Sequence, residues 1–236
     1  MNMAGTTMRI SRERKELIAK YATAAVSLYG VISAKEFVAV FNYYEEVHTT
    51  TEEALLALIR LARTDDVEYS VLGDIISGPQ FQPEFDDYQD NVRGIRKAQG
   101  NKPRYLPKKE EFLKYLDFEY REPEESYAEI KAYILKHKLT SRGEGIMGVD
   151  GDLIDLHELI QFGVSVKDEV DYFTDAGYRF KDLDESMGLF KLVANVHNHT
   201  RMYDNNGFTP TEMLEQLNRT KWNPSPIKPP KRLGES

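Results

Sequence analysis

Apolar positions at the start of the chain recur at helical spacing. Ile10, Leu17, Ile18, Tyr21, Ala25 and Leu28 fall on one stripe, which predicts a helix from about Ser11 to Tyr29 with Gly30 as its stop. Val31-Ile32 is a short apolar step. Ser33 and Glu36 then stand at the spacing of a capping box, and the helix they open carries Phe37, Val40, Phe41 and Tyr44 on one face. His48-Thr49-Thr50-Thr51 breaks that pattern. Thr50 and Glu53 form a second box ahead of Ala54, Leu55, Leu58, Ile59 and Ala62. Two β-rich runs follow, Val67–Leu72 and Ile75–Ser77, on either side of Gly73-Asp74, which predicts a hairpin. Helix, short strand, helix, turn, helix, hairpin is the order of a winged helix.

Downstream the pattern is helical again. Helices are expected over 84–99, Lys108–Leu116, Pro123–Lys136, Leu153–Phe162, Val166–Ala176 and Asp182–Tyr203. Asn205-Asn206-Gly207 ends the last of these, and Thr209-Pro210-Thr211-Glu212 caps a further short helix. Lys102–Pro107 reads as a rigid connector and sets a boundary. The expected fold is mainly α. A disordered start (1–8) precedes a winged-helix-like unit (9–101), an all-helical domain (102–221) and an extended Pro/Lys tail (222–236).

Composition narrows the function classes. The 236 residues are 41% hydrophobic and 11% aromatic, enough to bury a core. The chain holds no cysteine, which removes disulfides, thiolate zinc sites, Fe–S clusters and cysteine nucleophiles. Its formal net charge is -8, the opposite of what phosphate binding favours. No secretory h-region opens the sequence, and apolar runs such as Leu189–Val196 are far shorter than a bilayer span. A cytoplasmic protein without a membrane partner is expected.

The sharpest chemical reading is DNA contact through the winged helix. Arg12, Arg14, Lys15, Arg60 and Arg63 are the candidate DNA or partner contacts. The second helix of the turn motif, however, opens on Thr49, Thr50, Thr51, Glu52 and Glu53, and carboxylates there repel phosphates. Contact with another protein is therefore the preferred use. Asn195, Asn198, His199 and Arg201 are candidates for a buried polar seam, with a small pocket as the alternative.

No metal, cofactor or catalytic residue is assigned. His197 and His199 stand two apart and point about 200° away from each other on a helix. Asp150-Gly151-Asp152 with Asp155 lacks the further ligands of a calcium loop, so Asp152 is read as an N-cap. Ser141-Arg142-Gly143-Glu144-Gly145 lacks the Lys-Ser/Thr of a P-loop. Glu84, Asp86, Asp87 and Asp90 read as a solvated helix face.

Two stretches carry a resemblance. Tyr21–Ser33 is followed by Glu36-Phe37, and Asn195–Tyr203 by Asn206-Gly207-Phe208-Thr209-Pro210-Thr211-Glu212. Together they resemble uncharacterised proteins of Gram-positive bacteria, many of which end in a SEC-C motif, a short Cys-rich zinc-binding tail. That tail is missing here, and Pro and Lys residues after Trp222 stand where the linker to it would be. The resemblance implies a bacterial or phage-borne cytoplasmic protein with an adaptor or regulatory role, and no reaction. A non-enzymatic protein-interaction module is thus expected first. A DNA-binding regulator comes second, and a hydrolase with a pocket between the domains third.

Overall fold

The computed structural model describes residues 9–81, 87–117, 119–139 and 148–222, with side chains to 218. The fold is mainly helical with one small antiparallel sheet. Helix α1 (Arg12–Tyr29) starts where Ser11 accepts a bond from the Arg14 amide, and it stops at Gly30, whose φ of 70° suits a residue without Cβ. Strand β1 (Val31–Ser33) leads into α2 (Ala34–Tyr44) through the expected capping box, with both reciprocal bonds between Ser33 and Glu36 present. Helix α3 (Thr51–Leu61) is capped by Thr50, but the box there is half formed. Glu53 turns its carboxylate to Thr49 and Arg14 instead of back to Thr50.

Strands β2 (Ser70–Leu72) and β3 (Ile75–Ser77) make the predicted hairpin. Gly73 alone of the two turn residues has positive φ, at 64°, which fits a turn whose first central residue is glycine. The sheet order is β1-β3-β2, with Ile76 opposite both Ile32 and Val71. Element order and strand order together are those of a winged helix. Its core is α1, buried along Ile18, Tyr21, Ala22, Ala25, Val26, Leu28 and Tyr29. Small residues at Ala22 and Ala25, and at Ala54 and Ala57 on α3, let the two helices approach closely.

Helix α4 (Tyr88–Gln99) begins later than expected. The connector that follows does not end the first body. Helix α5 (Lys109–Phe112) and a 3-10 turn (Leu113–Leu116) pack back onto α1, and Phe112 and Tyr115 are buried in the same core. Burying a side chain such as Phe112 contributes about 1.5–3 kcal/mol, enough to fix that short helix there. The boundary expected at 102 therefore falls inside the first body.

The remaining helices make the second core. They are α6 (Glu124–His137), α7 (Gly148–Gln161), α8 (Val166–Asp175) and α9 (Leu183–His199), and α10 (Pro210–Trp222) packs on α9 outside that core. Ile130, Ile134, Leu156, Ile160, Phe173, Leu189, Val193 and Val196 fill it. Asp152 lies within α7 and is no N-cap; it accepts from the hydroxyls of Tyr172 and Tyr178. A third cluster of Val31, Phe81, Tyr88, Val92, Ile95 and Tyr203 ties the two bodies together. At its centre Gln99, 1% exposed, bonds the carbonyls of Tyr29, Val31 and Tyr203. No helix among the described residues is long and apolar enough to cross a membrane.

Candidate functional site

Arg14 of the winged-helix unit is committed within the fold. Arg14 Nε and Nη2 each lie 3.1 Å from a carboxylate oxygen of Glu53. Its Nη1 and Nη2 also donate to the carbonyls of Val47 and His48, and its guanidinium sits 5.1 Å from the centre of the Phe41 ring. That side chain is 16% exposed. Asn42 bonds both the amide and the carbonyl of Thr49, so the turn between α2 and α3 is fixed from two sides. Arg14 is thus a brace of the turn. Arg12 is exposed but paired with Glu16 and Asp65. Lys15 and Arg60 are half-buried, and Arg63 is exposed at the end of α3.

The outward stripe of α3 has a different character. Glu52, Leu55, Leu56, Ile59, Ala62 and Arg63 recur three or four apart, on the side opposite the buried Ala54, Ala57, Leu58 and Leu61. Ile59 is 36% exposed, and Leu72 of the adjoining wing is 44% exposed. Glu46, Asp66, Glu68 and Asp74 of the same unit are exposed. The α3 face is apolar in the middle, with Glu52 at one end and Arg63 at the other.

The expected polar seam on α9 is not buried. Asn195, Asn198 and His199 face solvent. Asn198 and His199 spend their bonds on carbonyls four residues back in their own helix, and Asn195 reaches Ser126. Helical phase explains the difference. Leu189, Val193 and Val196 take the core side, which turns 195, 198 and 199 outward and brings His197 in. His197 Nδ1 lies 2.8 Å from Oε1 of Glu169, which is 0% exposed. Burial raises the Glu169 pKa, His197 opposes that rise, and Oε2 of Glu169 has no hydrogen-bond partner. Arg201, the fourth residue assigned to the seam, is half-buried elsewhere. It pairs with Glu122 and Glu212 and lies 3.5 Å from the centre of the Tyr105 ring. Burial disfavours its charge, but Glu122, Tyr115 and Glu212 outweigh that and raise its pKa. The Thr209–Glu212 box forms with both reciprocal bonds.

A cavity of about 270 Å³ opens between the two bodies. Ser27, Pro79 and Gln80 come from the first; Ile154, His157, Glu158 and Gln161 come from α7; Tyr115, Tyr120 and Tyr203 supply aromatic walls. Tyr203 accepts from Gln80 and donates to Gln161. His157 Nδ1 contacts the Tyr127 hydroxyl at 2.8 Å, and that hydroxyl also meets Thr200 at 3.0 Å. Burial, with Arg121 beside it, lowers the His157 pKa to about 3, so the imidazole is neutral at pH 7. Burial raises the Glu158 pKa, and neighbouring Asp155 adds to it.

Sequence reasoning placed none of these cavity residues. They come from segments far apart along the chain, and only packing between the bodies assembles them. The Ser141–Gly145 stretch, Glu84 and Asp86, the first eight residues and the Pro/Lys tail past Trp222 lie outside the described residues. Among the described residues no group of three or more metal-ligating side chains converges. No family model, curated protein or solved structure matches the chain.

Proposed function

We propose that the chain is a non-enzymatic interaction module that contacts a partner protein through the α3 and wing face of its winged-helix unit. One observation carries this reading: Leu55, Leu56 and Ile59 form an aliphatic stripe that opens on the carboxylate of Glu52, and Arg14 is spent inside the fold. A DNA reader needs cations and neutral donors on the first turn of that helix, where this chain has Glu52 and Glu53. Ile59, Leu55, Leu56 and Leu72 instead offer the apolar centre of a protein interface, with charge at its rim. The adaptor role implied by the resemblance to Gram-positive bacterial proteins fits the same reading.

Binding to a mixed-sequence DNA duplex at low salt, followed by fluorescence anisotropy, tests it. The expected result is no specific binding and no salt-dependent affinity. Affinity that falls steeply with salt and is lost in Arg63→Ala favours the DNA-binding alternative.

A further inference from the structure

We propose that the cavity between the two bodies binds a small, planar, uncharged heterocycle carrying both hydrogen-bond donors and acceptors, the chemistry of a free nucleobase. Its shape and lining support this. The volume, about 270 Å³, lies just below the range of pockets for drug-sized ligands, which starts at roughly 300 Å³, and so suits a smaller molecule. Tyr115 and Tyr203 are nearly fully buried, and with Tyr120, whose ring stands at 88° to that of Tyr115, they give the cavity aromatic walls. Such walls favour a flat ring over an aliphatic chain.

The polar groups set the ligand's charge. Gln80 and Gln161 are tied to each other through the Tyr203 hydroxyl, which holds both amides in place. Gln80 uses one N–H there, and Gln161 uses its carbonyl oxygen there and one N–H on the Ser27 carbonyl. Each amide keeps further bonding capacity, a mixed set of donors and acceptors. His157 anchors Nδ1 on Tyr127, which leaves Nε2 as the ring nitrogen for the cavity. That imidazole is uncharged at neutral pH, so it adds a hydrogen bond without selecting an ion. Asp117, Glu158 and Arg121 also line the cavity; Arg121 offsets one carboxylate, and burial with neighbouring Asp155 favours the neutral form of Glu158. A neutral ring with mixed edges meets all of these groups at once.

A ligand here touches Ser27 and Gln80 on one body and His157 and Gln161 on the other. Binding therefore stabilises their junction and shows in the unfolding of the whole chain. The test is thermal unfolding and ligand-observed NMR of the full chain with adenine, hypoxanthine and uracil, at concentrations up to about 1 mM. Benzoate and benzylamine serve as the anionic and cationic comparisons. The expected result is a saturable rise in Tm with at least one base and none with either charged ring. Ile154→Trp fills the cavity and abolishes the rise. Gln161→Leu weakens binding by about tenfold, the loss expected for one hydrogen bond to a rigid site. The proposal is overturned if no base binds, if benzoate or benzylamine binds as well, or if a base binds equally to Gln161→Leu. That last variant decides the matter should Ile154→Trp fail to fold.

Discussion

Arg14 on α1 and Glu53 on α3 form a two-pronged ion pair, with both N···O distances at 3.1 Å. The pair closes over the turn of the helix-turn-helix. It neutralises the one carboxylate of α3 that faces inward and takes a candidate contact residue out of the solvent. The fold thereby uses its best-placed cation for its own geometry.

Loss of that brace should destabilise the winged-helix unit. Arg14→Ala removes the ion pair and the bonds to the Val47 and His48 carbonyls. The site is partly buried, so the cost should be about 2 kcal/mol, above a surface pair and below a fully buried one. Arg14→Lys should recover only part of it, because an ammonium cannot make the forked contact. Urea denaturation followed by circular dichroism measures both.

Gly30 should tolerate no side chain. Its φ is 70°, and an added Cβ would lie 2.7 Å from the Tyr203 ring. Gly30→Ala should therefore cost about 3 kcal/mol, from backbone strain together with displacement of Tyr203 at the junction of the two bodies. A wild-type Tm in this variant would show that the junction repacks freely.

The buried pair of Glu169 and His197 should respond unequally to its two deletions. His197→Ala leaves a fully buried carboxylate without a partner and should cost about 3 kcal/mol. Glu169→Gln keeps a bond to His197 and removes the buried charge, so its stability should stay close to wild type. Equal losses in both variants would contradict this account of the pair.

Acidification should weaken the fold in two windows. His157 has a folded pKa of about 3 against an ordinary value of 6.5. Between those values the unfolded chain binds a proton that the folded chain does not. Stability therefore falls as pH drops from about 6.5, by at most ~1.4 kcal/mol per pH unit. Glu36 behaves in the same direction at lower pH. Burial opposes its charge, but Ser33, Arg104 and Arg96 outweigh that and bring its pKa down to about 2 from 4.5. Its contribution is present above pH 4.5 and lost towards pH 2. Denaturation at stepped pH should show a flatter upper window in His157→Gln and a flatter lower one in Glu36→Gln.

Much of the fold was legible because its signals are local. Ser33–Glu36 and Thr209–Glu212 announce helix starts, and Gly73-Asp74 announces the hairpin, from residues only a few positions apart. The boundary at 102 was misplaced because the Lys102–Pro107 segment looks like a linker. What holds it is distant: Tyr29 and Tyr44 donate to its carbonyls, and Asn206 bonds Lys102. The polar seam failed for a related reason. Asn195, Asn198 and His199 share a helical stripe, but composition alone does not say which stripe meets the core. His197, one position away, was the inward residue. The role of Arg14 depended on Glu53, 39 residues on, and no local rule links them.

Photo-crosslinking from position 59 tests the central claim most directly. A benzophenone amino acid replaces Ile59 in the middle of the α3 face, and the chain is irradiated in its native host. The account predicts one discrete protein adduct, lost when Leu56→Arg is added and retained after nuclease treatment. An adduct that nuclease removes, or no adduct under conditions where the folded chain is abundant, would contradict it.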